Sequence, residues 1–105
     1  MPNTKYRAGA RLEREVVNAF RAGGWHALRS AGSHSPMDVV VWRGRHTNET
    51  KCVVYILGKL GFERVGSTYV RQRRTGTDVL FFNSFNLADP QDEYVMMFQC
   101  KRRGK

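Results

Sequence analysis

Four side chains in this chain have the types and spacing to hydrolyse a phosphodiester: Glu13, Asp38, Gln99 and Lys101. The chain closes on Phe98-Gln-Cys-Lys101, straight after the apolar run Tyr94-Val-Met-Met-Phe98. Alternate residues of a strand share a face, so Gln99 and Lys101 project together while Phe98 and Cys100 point the other way. Asp38 opens a second apolar strand, Val39-Val-Val-Trp42, where Asp38, Val40 and Trp42 share a face. If the two strands are neighbours, a carboxylate, an amide oxygen and an ammonium converge. Hard oxygen donors suit Mg²⁺, with Mn²⁺ as the alternative. Such an ion lowers the pKa of a bound water and polarises the phosphate, while a lysine offsets the charge that develops on it. Taken alone, Asp…Gln-x-Lys is a weak signal, and an Asp at the mouth of a strand equally well caps a turn.

The elements that must position these groups follow from periodicity. From Gly9, Leu12, Val16, Ala19 and Phe20 mark one face of a helix that ends at Gly23-Gly24. Glu13 precedes Val16, Val17 and Phe20 by three, four and seven residues, so it lies on or beside the buried stripe, with Glu15 on the wet side. A carboxylate turned toward a core needs a partner; an arginine or a metal ion would serve. Residues 1–8 read as a flexible basic arm, 25–30 as a short strand and 31–37 as a Gly/Ser/Pro loop. Residues 51–60 fit a helix or a strand. Residues 62–70 look extended, 71–77 like a basic loop, 78–82 like a strand and 83–93 like a loop. Tyr55, Tyr69, Phe81 and Phe82 alternate with apolar residues as core aromatics do. A faint echo links "VVNAFRAGGWHALRS…MDVVVW" to "VVYILGKLGFERVGS…TDVLFF".

At 105 residues the chain is one domain's length, with a formal net charge of +9 and 13 Arg against 5 Lys. That excess favours a polyanion, nucleic acid first, and arginine's fork suits phosphate. No apolar run is long enough to span a bilayer, and the N-terminus lacks a secretory h-region, so a place inside a cell is expected: cytoplasmic, nucleoid-associated, or in a host cell for a viral protein. Cys52 and Cys100 are too few for a zinc site and sit in apolar contexts, as free thiols do.

"GARLERE" at 9–15, "RSAGSHSPMDVVVW" at 29–42 and "FQCKRRGK" at 98–105 resemble the archaeal-type Holliday junction resolvases of the PD-(D/E)xK nuclease superfamily. The resemblance implies a restriction-endonuclease-like α/β fold, an N-terminal helix followed by a mixed sheet flanked by helices. It further implies a Mg²⁺-dependent endonuclease that cuts four-way DNA junctions as a homodimer. Carried over by position, Glu13 is the helix glutamate, Asp38 the metal-binding aspartate, and Gln99 and Lys101 the strand pair; Glu13, Asp38 and Gln99 would hold the metal. Ser33 falls in the family's serine-bearing loop, with His34 beside it. Arg7, Arg11, Arg14, Arg29, Arg43, Arg102 and Arg103 are the candidate phosphate contacts.

The chain departs from the family in two ways. Gln99 replaces an acid, and 49 residues, Gly44 to Asp92, stand where a short hairpin is expected, so a single domain, 1–105, with an insertion at about 44–92 is read. That segment carries 7 basic and 5 acidic residues, net +2, and the remainder 11 and 4, net +7, so the family-like frame holds most of the excess. A rival assignment uses Glu49 and Asp78 with the same Gln99 and Lys101: Asp78 precedes Gln99 by 21 positions, Asp38 by 61. Spacing favours Asp78 and local motif favours Asp38. A basic nucleic-acid-binding module without catalysis is the alternative function.

Overall fold

The computed structural model describes residues 4–30, 37–43, 49–86 and 94–104. Helix α1 (Thr4–Ala22) leads into β1 (His26–Arg29) and β2 (Val39–Arg43); α2 (Glu49–Lys59) leads into β3 (Glu63–Val65), β4 (Thr68–Arg73), β5 (Gly76–Asn86) and β6 (Tyr94–Gly104). The six strands form one sheet in the order β1-β2-β6-β5-β4-β3. All five pairings are antiparallel, so the α/β, restriction-endonuclease-like expectation holds but the sheet is not mixed. No strand here returns through a helical crossover to lie parallel to its neighbour.

One face of the sheet is covered. Leu12, Val16 and Phe20 of α1 and Val53, Ile56 and Leu57 of α2 pack with Ala27, Val39, Val41, Tyr69, Leu80, Met96, Phe98 and Cys100 in a single core. The period-two burial in β2 and β6 and the 3.6-residue stripe in α1 are two views of that face. Phe20 anchors its centre, edge-on to Trp25 at 5.3 Å and tilted against Phe98 at 5.5 Å. Among the described residues, no helix is long and apolar enough to cross a membrane.

Both helices stop the same way. The Trp25 N–H donates to Phe20 O at 2.9 Å and the Gly24 N–H to Arg21 O at 3.1 Å; the Phe62 N–H donates to Leu57 O at 3.0 Å and the Gly61 N–H to Gly58 O at 3.0 Å. Gly24 (φ 88°) and Gly61 (φ 95°) hold the left-handed position this cap requires. The sequence echo is therefore structural at each helix end, where a capped helix feeds an aromatic residue and a short edge strand. It fails beyond that, because β4 separates β3 from β5, whereas β1 pairs with β2 directly.

Several local expectations change. Residues 4–8 belong to α1, not to an arm. Residues 51–59 are helical, so packing of Val53, Ile56 and Leu57 overrides their β-branched neighbours. The basic stretch 71–77 is no loop: β4 runs through Arg73, turns over two residues, and β5 starts at Gly76. β5 continues to Asn86, through part of the expected 83–93 loop, because β6 pairs with it along its whole length. Tyr69 is core, but Tyr55 is 60% exposed and Phe81 faces solvent.

Candidate active site

The sheet brings the sequence's distant halves together. The β2–β6 register runs from Arg43 opposite Tyr94 to Val39 opposite Phe98, which leaves Asp38 beside the Phe98–Cys100 stretch of β6. The backbone around Asp38 is fixed on both sides: its N–H donates to Phe98 O at 2.8 Å, and its carbonyl accepts from the Ser30 N–H at 2.8 Å. Its side chain reaches along β6, where Oδ2 accepts the Cys100 N–H at 2.8 Å. Gln99 is half-buried and Lys101 exposed, on the sheet face away from the helices, while Phe98 and Cys100 are buried beneath α1. Lys101 stands two residues past Gln99, roughly 7 Å along the strand.

Glu13 enters from α1. Its side chain is 17% exposed, and its Oε1 accepts the Arg29 Nε–H at 3.0 Å. Burial raises the Glu13 carboxyl above the usual range; the Arg29 bond opposes that, and the nearby Asp38 charge adds to it. A carboxyl whose ionisation is opposed by burial and by a neighbouring negative charge is the electrostatic setting a cation relieves. Burial likewise pushes the Cys100 thiol well up, with Asp38 and Glu13 adding to it, so it stays protonated and inert. Glu13 and Asp38 carry hard oxygen donors of the kind Mg²⁺ takes, though Arg29 already engages one Glu13 oxygen; Gln99 projects from the sheet face away from α1 and is not brought beside Glu13.

Asp78, the rival aspartate, lies on the other face. It opposes Arg102 on β6, whereas Lys101 opposes Val79. Asp78 is 0% exposed and encased by three guanidiniums. Arg71 donates through Nε at 3.0 Å and Nη2 at 2.7 Å, Arg73 through Nε at 2.9 Å, and Arg102 through Nε at 2.8 Å. Burial works against its charge, yet Arg102 and Arg71 hold the carboxyl below its ordinary value. Arg71 also grips Glu15 through two bonds, at 2.9 and 3.1 Å, and Leu60 O at 3.0 Å. The Arg71 bond holds Glu15 below its usual range as well, against some burial. This network clamps β4 and β5 of the inserted segment to α1 and β6. Asp78 thus shares no site with Lys101, and Glu15 is an ion-pair partner rather than a solvated residue.

Arg102, expected on a phosphate, is instead committed to Asp78 and lies 3.6 Å from Glu15. Arg29 is shared with Glu13, and Arg43 lies over the Trp25 ring at 5.8 Å. Arg11, Arg14 and Arg103 are exposed. Ser33, His34 and the side chains of Arg7 and Glu49 lie outside the described residues. Sequence reasoning missed the three-arginine cage. Its signal was the period-two placement of Arg71 and Arg73, which puts both on the face of Asp78 once 71–78 is read as a hairpin.

Residues 4–54 match the family described as archaeal Holliday junction resolvase (hjc), a span that takes in α1, β1, β2 and the start of α2. No curated protein and no solved structure matches the chain.

Proposed function

We propose that this chain, which is of the archaeal Holliday junction resolvase type over residues 4–54, is a Mg²⁺-dependent endonuclease that cuts branched DNA, four-way junctions above all. In this reading it acts as a homodimer inside a cell. One observation carries the proposal: β6, which lies outside the matched span, is laid against β2 so that Asp38 bonds Phe98 and Cys100, the two neighbours of Gln99, across 60 residues of intervening sequence.

The roles follow from position. Asp38, held by the Cys100 N–H, and Glu13, held by Arg29, present carboxylate oxygens; Gln99 adds a neutral one. A bound Mg²⁺ supplies an activated water and charge on the phosphate. Lys101 is exposed on the same face as Gln99, where its ammonium meets a scissile phosphate and offsets the negative charge that grows on it. Arg29 keeps Glu13 oriented. Arg11, Arg14 and Arg103 contribute phosphate attraction without sequence preference.

A second reading has its own support. Among the described residues no group of three or more His, Cys, Asp or Glu is gathered to hold a metal, and Gln99 stands where the family carries an acid. A junction-binding protein without catalysis fits that fact. The two readings separate in one assay: a synthetic four-way junction incubated with Mg²⁺, then with EDTA, for the native chain and Asp38→Asn. Cutting that needs both Mg²⁺ and Asp38 supports the nuclease. Tight binding without cutting under either condition supports the binder.

A further inference from the structure

Both tryptophans of the chain, Trp25 and Trp42, line one open recess of about 540 Å³ at the β1 edge of the sheet, together with Arg21, His26, Ala27 and Leu28. The walls are flat and apolar. His26 stacks on Trp42 at 5.4 Å with 23° between the rings. Leu28 is 53% exposed, unusual for a leucine in a strand. Arg21 is fixed at the rim, its Nε and Nη2 donating to Ala27 O at 3.1 and 2.8 Å. Trp42 shares its strand and its sheet face with Asp38, four residues away, roughly 13 Å.

We propose that this recess holds one unstacked nucleobase of a DNA strand whose backbone passes the Asp38–Lys101 site. The proposal rests on the nuclease reading for its choice of DNA. A base needs a slot with aromatic or apolar walls and a cation near its phosphate; here Trp42, His26 and Leu28 supply the walls and Arg21 the cation. The net charge of +9 makes a polyanion the fitting occupant. Fully paired DNA cannot fill the recess without breaking its own stack, so the slot favours unpaired positions such as a junction's branch point.

Because the two tryptophans lining the recess are the chain's whole complement, tryptophan emission, excited beyond the tyrosine band, reports on this recess. The experiment titrates the protein, in EDTA to prevent cutting, with oligo(dT), with fully paired duplex of equal phosphate count, and with heparin. Oligo(dT) should quench the emission strongly; duplex and heparin should not. His26→Ala and Leu28→Glu, both at exposed positions, should weaken oligo(dT) binding about tenfold and leave duplex binding within about twofold. Equal quenching by duplex or heparin, or oligo(dT) binding by both variants at native strength, overturns the proposal. Cleavage is scored separately. A protein that quenches but never cuts keeps the recess and loses the nuclease reading; one that cuts junctions without quenching does the reverse.

Discussion

Asp78→Asn removes one charge and almost no volume, which isolates what the arginine cage does. In the native fold a fully buried carboxylate accepts from Arg71, Arg73 and Arg102 at 2.7–3.0 Å. Breaking a buried ion pair by removing one partner costs about 3–5 kcal/mol, since the remaining charge stays buried. Here three guanidiniums are left facing one another, with Glu15 as their remaining carboxylate. A domain of this size has about 5–15 kcal/mol in total, so the loss approaches half, or roughly 15 °C in Tm. Urea unfolding of Asp78→Asn beside Asp38→Asn measures it. Asp38 is half-exposed and accepts one backbone N–H, so its variant should stay within about 1 kcal/mol of the native chain. Junction cutting should show the reverse order: gone in Asp38→Asn, kept in Asp78→Asn at a temperature where it is folded. A stable Asp78→Asn that no longer cuts, beside an Asp38→Asn that does, would refute both the structural role of Asp78 and the choice of Asp38.

Gln99→Glu restores a third carboxylate and should lower the Mg²⁺ concentration for half-maximal cutting on the order of tenfold, read from a metal titration of the rate. Arg103→Ala should leave stability unchanged and reduce the salt slope of DNA binding by about 1, whereas Arg102→Ala should destabilise the fold; fluorescence anisotropy at several salt concentrations and a melt distinguish them. Asp78 and Glu15 are held below their ordinary values, so their stabilisation is complete above the unfolded carboxylate range, about pH 4, and is lost as pH falls through the depressed folded values; melts from pH 7 to pH 2 should show that loss, and Asp78→Asn should show less of it. Glu13 has the opposite sign: its raised carboxyl takes up a proton above the usual range, so Mg²⁺-dependent cutting should decline on acidification before the fold does, which parallel rate and stability profiles would show. Gly24→Ala and Gly61→Ala should each cost about 1–2 kcal/mol by forcing a Cβ into the left-handed region, measured by urea midpoints.

The placement of the candidate groups is legible where they lie in elements with clean periods. The α1 stripe placed Glu13 at the core's margin, and alternation placed Gln99 and Lys101 on one face. The contact of Asp38 with β6 was not legible: no local pattern tells β6 to skip the inserted strands and lie beside β2, and spacing alone favoured Asp78. The arginine cage around that aspartate is hidden because Arg71-Gln-Arg-Arg-Thr-Gly-Thr77 reads as a basic loop by composition. Only the hairpin register turns Arg71 and Arg73 inward. Helix α2 stayed ambiguous for a related reason, since its β-branched residues suit either state and contacts with α1 and β3 decide.

The place of the inserted strands changes what the sheet offers to the outside. With β5 hydrogen-bonded along its whole length, β6 has a strand on both flanks from Tyr94 to Phe98 and on one flank only from Gln99 to Gly104, while the outermost strands of the sheet, β1 and β3, have four and three residues. Borders that short are poor templates for strand addition. Lengthening of the sheet from one molecule into the next over β1 or β3 is thereby discouraged, and the flank of β6 that carries Gln99 and Lys101 beyond the end of β2 stays open to whatever the site binds.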